Sequence, residues 1–283
     1  MSLLEFLHDL TNPTLDFLPR ALIGAILAAV LCAVVGIHVT LRGLGFVGDA
    51  LSHAIFPGIA IAFAAGTSLY AGGMVAGVIV AVLIALSSQN RRVREDSLIG
   101  IFFAAAFALG LVIIARVPGY TGSLESFLFG SLTGIGQKDI LTSFVGLFAI
   151  LLVLALAHRS LVAVSVDREF ARSQGVKVYA VDLLLYILIA VTVVMSVQSV
   201  GNILVLSLLL TPGATTRLLT DSLRLMLVLA PLIGAVSAFF GIYLSWSLGV
   251  PTGGAIVLVA SAIFSLAWLV GPKGFLAHLR GRN

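Results

Sequence analysis

Charged side chains are scarce in this sequence. Asp, Glu, Lys and Arg together make up only 10% of its 283 residues. A soluble domain carries about 25%, so a water-soluble globular chain is excluded. Cysteine is nearly absent as well. The single Cys32 lies inside an apolar run and excludes a disulfide framework. No basic block with interleaved aromatics accompanies the net charge of +4, which excludes a nucleic-acid partner. No G-x-x-x-x-G-K-[ST] loop is present, so the chain does not cradle ATP in the usual way. No H-E-x-x-H pair is present for a zinc hydrolase. Near the N-terminus, Glu5, Asp9 and Asp16 precede the first basic residue, Arg20. A cleavable leader opens with positive charge instead.

What is abundant is apolar sequence, at 60% of residues with a mean hydropathy of +1.18. A bilayer core about 30 Å thick needs roughly 20 apolar residues per helix. Apolar runs fall at 17–41, 46–66, 68–87, 97–116, 139–158, 179–200, 202–216, 225–248 and 253–270. They are too long for barrel strands, and lipid satisfies no free backbone group, so they predict helices. The expected fold is all-α: a polytopic bundle of eight or nine spans forming one membrane domain over 1–283, with 202–216 short enough to be a half-span. The semi-polar stretch 120–138 predicts a short interfacial helix around Leu124, Phe127 and Leu128. With the Arg91–Arg92–Arg94 loop placed in the cytoplasm, alternation puts all but Arg20, Arg116 and Lys138 of the 16 Lys and Arg on that side. The positive-inside rule asks for this asymmetry. It predicts a cytoplasmic C-terminus.

One cluster of titratable residues falls within an apolar run. In LGFVGDALSHAIFPG, Asp49 and His53 stand four apart, one turn along the same helix face. Carboxylate suits Mn²⁺, and imidazole suits Zn²⁺ and other first-row ions. A transport site must admit an ion without trapping it, which two ligands per chain, doubled across a two-fold axis, would suit. The same pair reads equally as a buried ion pair fixing helix packing, or with Asp49 as a helix cap. Gly43, Gly45 and Gly48 before the pair and Pro57–Gly58 after it predict an interrupted span, such as lines a transport site. An unwound 41–48 segment would carry Asp49 deeper. Thr211–Pro212–Gly213 predicts a second interruption that shapes the pathway, or a simple kink. His38 reads as a core histidine; His8, His158 and His278 are uncommitted. Glu95–Asp96 favour a helix N-terminus, and Glu125 is exposed or receives a cation. On the cytoplasmic side, Ser165 to Lys177 predicts a surface helix capped by Gly175, either a solvated connector or a docking element.

Six stretches carry a resemblance that spans nearly the whole chain: GDALSHAIFPG from Gly48, DSLIGIFFAAAFALG from Asp96, LFGSL from Leu128, VDREFARSQGV from Val166, VGNILVLSLLLTPGATT from Val200 and PTGGAIVL from Pro251. In this order they resemble the manganese/zinc/iron ABC-transporter permease family. The resemblance implies a type II importer-like permease in a bacterial plasma membrane, working as a homodimer. It implies two cytoplasmic ATP-binding subunits that hydrolyse ATP, and an extracytoplasmic metal-binding protein that delivers the ion. The chain itself would then be a transport subunit rather than an enzyme, with no permanently bound cofactor and with Mn²⁺ or Zn²⁺ as cargo. Asp49 and His53 match the family's metal ligands. Asp167, Glu169, Ala171 and Gly175 match its ATPase-coupling segment, and Gly48, Pro57, Gly58 and Pro212 would shape the pathway. The S-H-A-x-x-P-G form looks more like the manganese branch.

Two other mechanisms fit parts of this pattern. An ion-coupled secondary transporter would use Asp49–His53 as its coupling pair, with His53 titrating near neutral pH, but predicts inverted repeats that are not evident. An intramembrane aspartyl hydrolase needs a second carboxylate sharing the site. Asp96, Asp139 and Asp182 all fall near span ends.

Overall fold

The computed structural model describes residues 1–89, 95–116 and 136–276. Most of the helix expected over 120–138, Glu125, the Arg91–Arg92–Arg94 cluster, the LFGSL stretch and His278 lie outside the described residues. Among the described residues regular structure is entirely helical. After α1 (Leu3–Asp9) come α2 (Phe17–Leu41), α3 (Gly45–Ala54), α4 (Phe56–Ala64), α5 (Leu69–Ser87) and α6 (Glu95–Ile114). The second half holds α7 (Gln137–Val166), α8 (Arg168–Ser173), α9 (Val178–Val200), α10 (Asn202–Leu219), α11 (Leu223–Leu248) and α12 (Thr252–Val270). Among the described residues, eight segments are long and apolar enough to cross a membrane, with α3 and α4 counted together; the apolar part of α10, Leu204–Leu219, is shorter.

The expected spans are present, with three differences. Helix α7 runs past the apolar stretch 139–158 to Val166, because helical hydrogen bonding continues through the polar HRS sequence that leaves the membrane. The break after α2 is confined to 42–44 rather than 41–48: Gly43 takes φ +68°, and Gly45 and Gly48 are already helical. Thr211–Pro212–Gly213 does not interrupt its span. Pro212 sits inside a continuous α10, as proline is tolerated in membrane helices where neighbours and hydroxyls satisfy freed backbone groups. The carbonyl that Pro212 leaves without a helical donor is that of Leu208, four residues earlier.

Residues 1–40, 136–147 and 196–276 group into one compact unit. In it α10, α11 and α12 pack against one another. Glycine sets how closely α2 approaches its neighbours. A Cβ at Gly36 would fall 1.8 Å from the Leu209 carbonyl oxygen of α10, and one at Gly234 of α11 would fall 3.0 Å from the Ala29 carbonyl oxygen. Small residues let membrane helices gain van der Waals contact where no hydrophobic driving force exists. The N-terminal segment docks onto α11 within this unit. A capping box at Ser2 and Glu5 starts α1. Phe6 is buried with its ring edge-on to Phe239 and Tyr243, and Asp9 accepts a hydrogen bond from the Trp246 indole at 2.9 Å.

Residues 41–116 (apart from 90–94) and 148–195 form the second unit. Here α3 and α4 pack against α5 and α6. At the α4–α5 crossing Gly58 and Gly72 meet backbone to backbone: a Cβ on Gly58 would sit 2.1 Å from the Gly72 carbonyl oxygen. Gly73 and Gly77 bring α5 against Ala190 and Val194 of α9.

Replacing Gly36 with alanine is expected to lower stability by about 1–3 kcal/mol through overpacking. Gly254, whose Cβ would meet nothing within 4 Å, should tolerate alanine or gain from it. Thermal unfolding of the two variants in detergent checks the contrast.

Candidate metal site

The local sequence builds the site by dividing one span into two short helices. Leu41 ends α2, Gly43 reverses the chain in the left-handed region, and α3 starts at Gly45 with no side chain capping it. Pro57 then stands in the first turn of α4. It has no N–H to offer the carbonyl of His53 four residues earlier, and the span divides at Ile55. Asp49 is therefore in the middle of α3 and does not cap its N-terminus.

Asp49 and His53 project from one face of α3, as their spacing predicts. His53 Nδ1 lies 3.0 Å from the Asp49 backbone carbonyl oxygen and 3.6 Å from its carboxylate Oδ1. Both are acceptors, which favours the proton on Nδ1. A second acceptor fixing the tautomer is the usual device for orienting a histidine toward a metal. Ser52 holds the same turn: its hydroxyl donates to the Gly48 carbonyl at 2.7 Å and lies 3.0 Å from that of Asp49. The His53 and Asp49 side chains are 20% and 30% exposed, enough for an ion to reach them.

Two phenylalanines pack against the imidazole, and two more pack against those. Phe103 and Phe107 of α6 each stand 5.3 Å from it, steeply inclined. Phe46 packs edge-on to Phe103, and Phe56 packs on Phe107. These rings exclude water from one side of His53, and aromatic faces attract cations. Sequence reasoning could not single them out, because Phe103 and Phe107 belong to an evenly apolar run. No group of three or more His, Cys, Asp and Glu able to hold a metal occurs among the described residues. Asp49 and His53 offer one carboxylate and one imidazole, a candidate pair of mixed oxygen and nitrogen donors.

The remaining site candidates divide by unit. Gly48 is buried in α3. Pro57 and Gly58 set the α3–α4 division and the α4–α5 crossing. Beside them lies an apolar cavity of about 590 Å³ that includes Ala54, Ile61 and Phe102. None of its described lining residues is charged. Pro212 belongs to the other unit, where the following Gly213 abuts Thr40 of α2.

The segment that the sequence marks for coupling is shorter than expected. Helix α8 covers only Arg168–Ser173, since Ser165 and Val166 complete α7. Asp167 caps it, accepting from the backbone N–H groups of Glu169 and Phe170 at 2.9 Å each. Ala171 is buried and Gly175 ends the turn at φ +81°, so the expected glycine cap is present. Glu169 reaches Arg172 in an exposed pair. The face turned away from the protein carries Phe170, 61% exposed, and Val166. Neither stood out in the sequence, where each reads as one more apolar residue.

The comparisons agree along the whole chain. It is 43% identical to the manganese transport system membrane protein MntC of Halalkalibacterium halodurans over 274 residues, which is 96% of this chain and 93% of that one. It is 36% identical to the chelated iron transport system membrane protein YfeC of Yersinia pestis, covering 92% and 88%. The solved structure of PsaBC from Streptococcus pneumoniae in complex with Fab matches with a TM-score of 0.87 at 32% identity over the full length of both chains. A metal-chelate type ABC transporter in an inward-facing conformation matches at 19% identity with a TM-score of 0.74, over 91% and 89%, and shows the shared fold alone. Residues 14–271 match the ABC 3 transport family, and this chain, a multi-pass membrane protein and a transport component rather than an enzyme, belongs to that family.

Proposed function

We propose that this chain is the permease subunit of an ATP-driven importer of divalent transition metal ions, with Mn²⁺ as its cargo ahead of Zn²⁺. The observation that carries the proposal is the Asp49–His53 pair, a carboxylate and an imidazole on one face of a divided span. The mixed oxygen and nitrogen donors suit Mn²⁺ without a soft thiolate to retain Zn²⁺. Several relatives are named as manganese transport proteins. In a homodimer the pair would be doubled, and an extracytoplasmic metal-binding protein would deliver the ion to it. Two ligands bind weakly enough to release the ion onward.

The cycle is alternating access. The two packed states need an energy source that prefers one over the other, and the ion alone need not supply it. A separate cytoplasmic subunit hydrolyses ATP and acts on α8. Exposed Phe170 and Val166 form the contact; Asp167, Ala171 and Gly175 hold the helix in shape, and Glu169 lies on its rim. The C-terminus is then cytoplasmic, with Arg42, Arg159, Arg168, Arg172, Lys177, Arg217, Arg224 and Lys273 on the same side. Among the site candidates, Gly48, Pro57 and Gly58 shape the pathway on the Asp49 side and Pro212 shapes it in the other unit.

Reconstituted with its ATP-binding subunit in liposomes, the wild type is expected to take up Mn²⁺ only with ATP. Asp49→Ala and His53→Ala should each reduce uptake at least about tenfold while the complex still assembles. Normal uptake by both variants would make the pair structural. Uptake by the chain alone, without ATP, would point to an ion-coupled secondary transporter. For the docking contact, Phe170→Asp should weaken association with the ATP-binding subunit by about 2 kcal/mol or more, read as lost co-purification.

A further inference from the structure

The second unit contains a buried charge cluster that the metal site does not use. Asp182, in the first turns of α9, is 1% exposed and shared between two arginines. Its Oδ1 accepts from Arg42 Nη1 at 2.7 Å, and its Oδ2 accepts from Arg168 Nη2 at 2.5 Å. Arg42 is 7% exposed and also donates through Nε to the Ser165 hydroxyl at 3.1 Å, in the last turn of α7. Ser165 in turn donates to the Leu161 carbonyl at 2.7 Å. Burial lowers the pKa of the Arg42 guanidinium from its ordinary value, and Asp182 opposes that shift.

The positions of the three charges in the chain give the cluster its meaning. Arg168 is the first residue of α8. Arg42 is the first residue of the turn that hands the chain to α3, seven residues before Asp49. Asp182 holds both with one oxygen each, so a displacement of α8 pulls on the 42–44 turn through two charge-assisted hydrogen bonds. That turn is built to move: it contains a left-handed Gly43, and α3 begins without a side-chain cap. We infer that Arg168, Asp182 and Arg42 form a strut that couples α8 to the helix carrying the metal ligands. The three act as positioning residues for transport. The inference rests on the reading of α8 as the contact for the ATP-binding subunit.

Arg168 is the member to test first, because it is 41% exposed and its removal leaves the Arg42–Asp182 pair intact. In the complete complex in liposomes, ATP hydrolysis and Mn²⁺ uptake are measured together for wild type, Arg168→Ala, Arg168→Lys and Asp182→Asn. In Arg168→Ala the ATP-binding subunit should still co-purify and hydrolyse ATP, with Mn²⁺ moved per ATP reduced at least about fivefold. Arg168→Lys should restore part of the ratio through a single hydrogen bond. If Asp182→Asn fails to assemble, the two Arg168 variants decide alone. An unchanged ratio in Arg168→Ala, or hydrolysis and uptake falling in proportion, overturns the strut. A wild-type complex without ATP-dependent uptake overturns the functional reading and the strut with it. A transporting wild type with a fully coupled Arg168→Ala overturns the strut alone.

Discussion

A bilayer core offers no hydrogen bonds, and the architecture of this chain follows from that constraint. Each backbone N–H and C=O inside the hydrocarbon must be satisfied by the protein. A continuous helix does this at the cost of a uniform surface with no place for an ion. The α3–α4 span resolves the conflict by ending one short helix and starting another. Gly43 supplies the reversal at one end and Pro57 removes a donor where the ladder divides. The Ser52 hydroxyl covers the Gly48 carbonyl within α3. Asp49 and His53 are held between these two breaks, where the backbone is most readily rearranged.

Close packing elsewhere makes a locally divided span affordable. Gly58 against Gly72, and Gly36 against Leu209, set neighbouring helices backbone to backbone in their respective units. Such contacts replace the hydrophobic driving force that is missing between helices in lipid. They hold long elements firmly, while α3 and α8, of 10 and 6 residues, are too short to be stable on their own. Rigid long helices around short ones give a protein in which particular elements move.

What was legible in the sequence follows the range of the interactions involved. The spans could be read from hydropathy, which is local. The Asp49–His53 pairing follows from a spacing of four residues, and the end of α8 from Gly175, also local. The interruption at Pro57 was visible, whereas at Pro212, read as an interruption or a simple kink, the helix continues. Phe103 and Phe107 around His53, and Asp182 beside Arg42 140 residues away in sequence, could not be seen, because each depends on which helices pack together. The exposure of Phe170 and Val166 was hidden for a related reason. Motif matching marks residues that shape a turn, such as Asp167 and Gly175, as readily as residues that face outward.

Stability does not account for the buried charges of the second unit. Removing Asp182 and Arg42 from water costs several kcal/mol per ion, and well-packed apolar residues often serve as well or better. Asp182 could be replaced by leucine, with Arg42 made apolar, at no necessary loss to the fold. What an apolar cluster lacks is directionality. A shared carboxylate fixes two guanidinium groups at defined angles and distances, and transmits a displacement of one to the other. Apolar side chains slide past one another within the same contact area. A protein that must convert movement at its surface into rearrangement beside an ion has reason to keep the costlier arrangement. The same physics bears on Asp49: an ionisable residue within a membrane span is costly, and is a candidate for function for that reason.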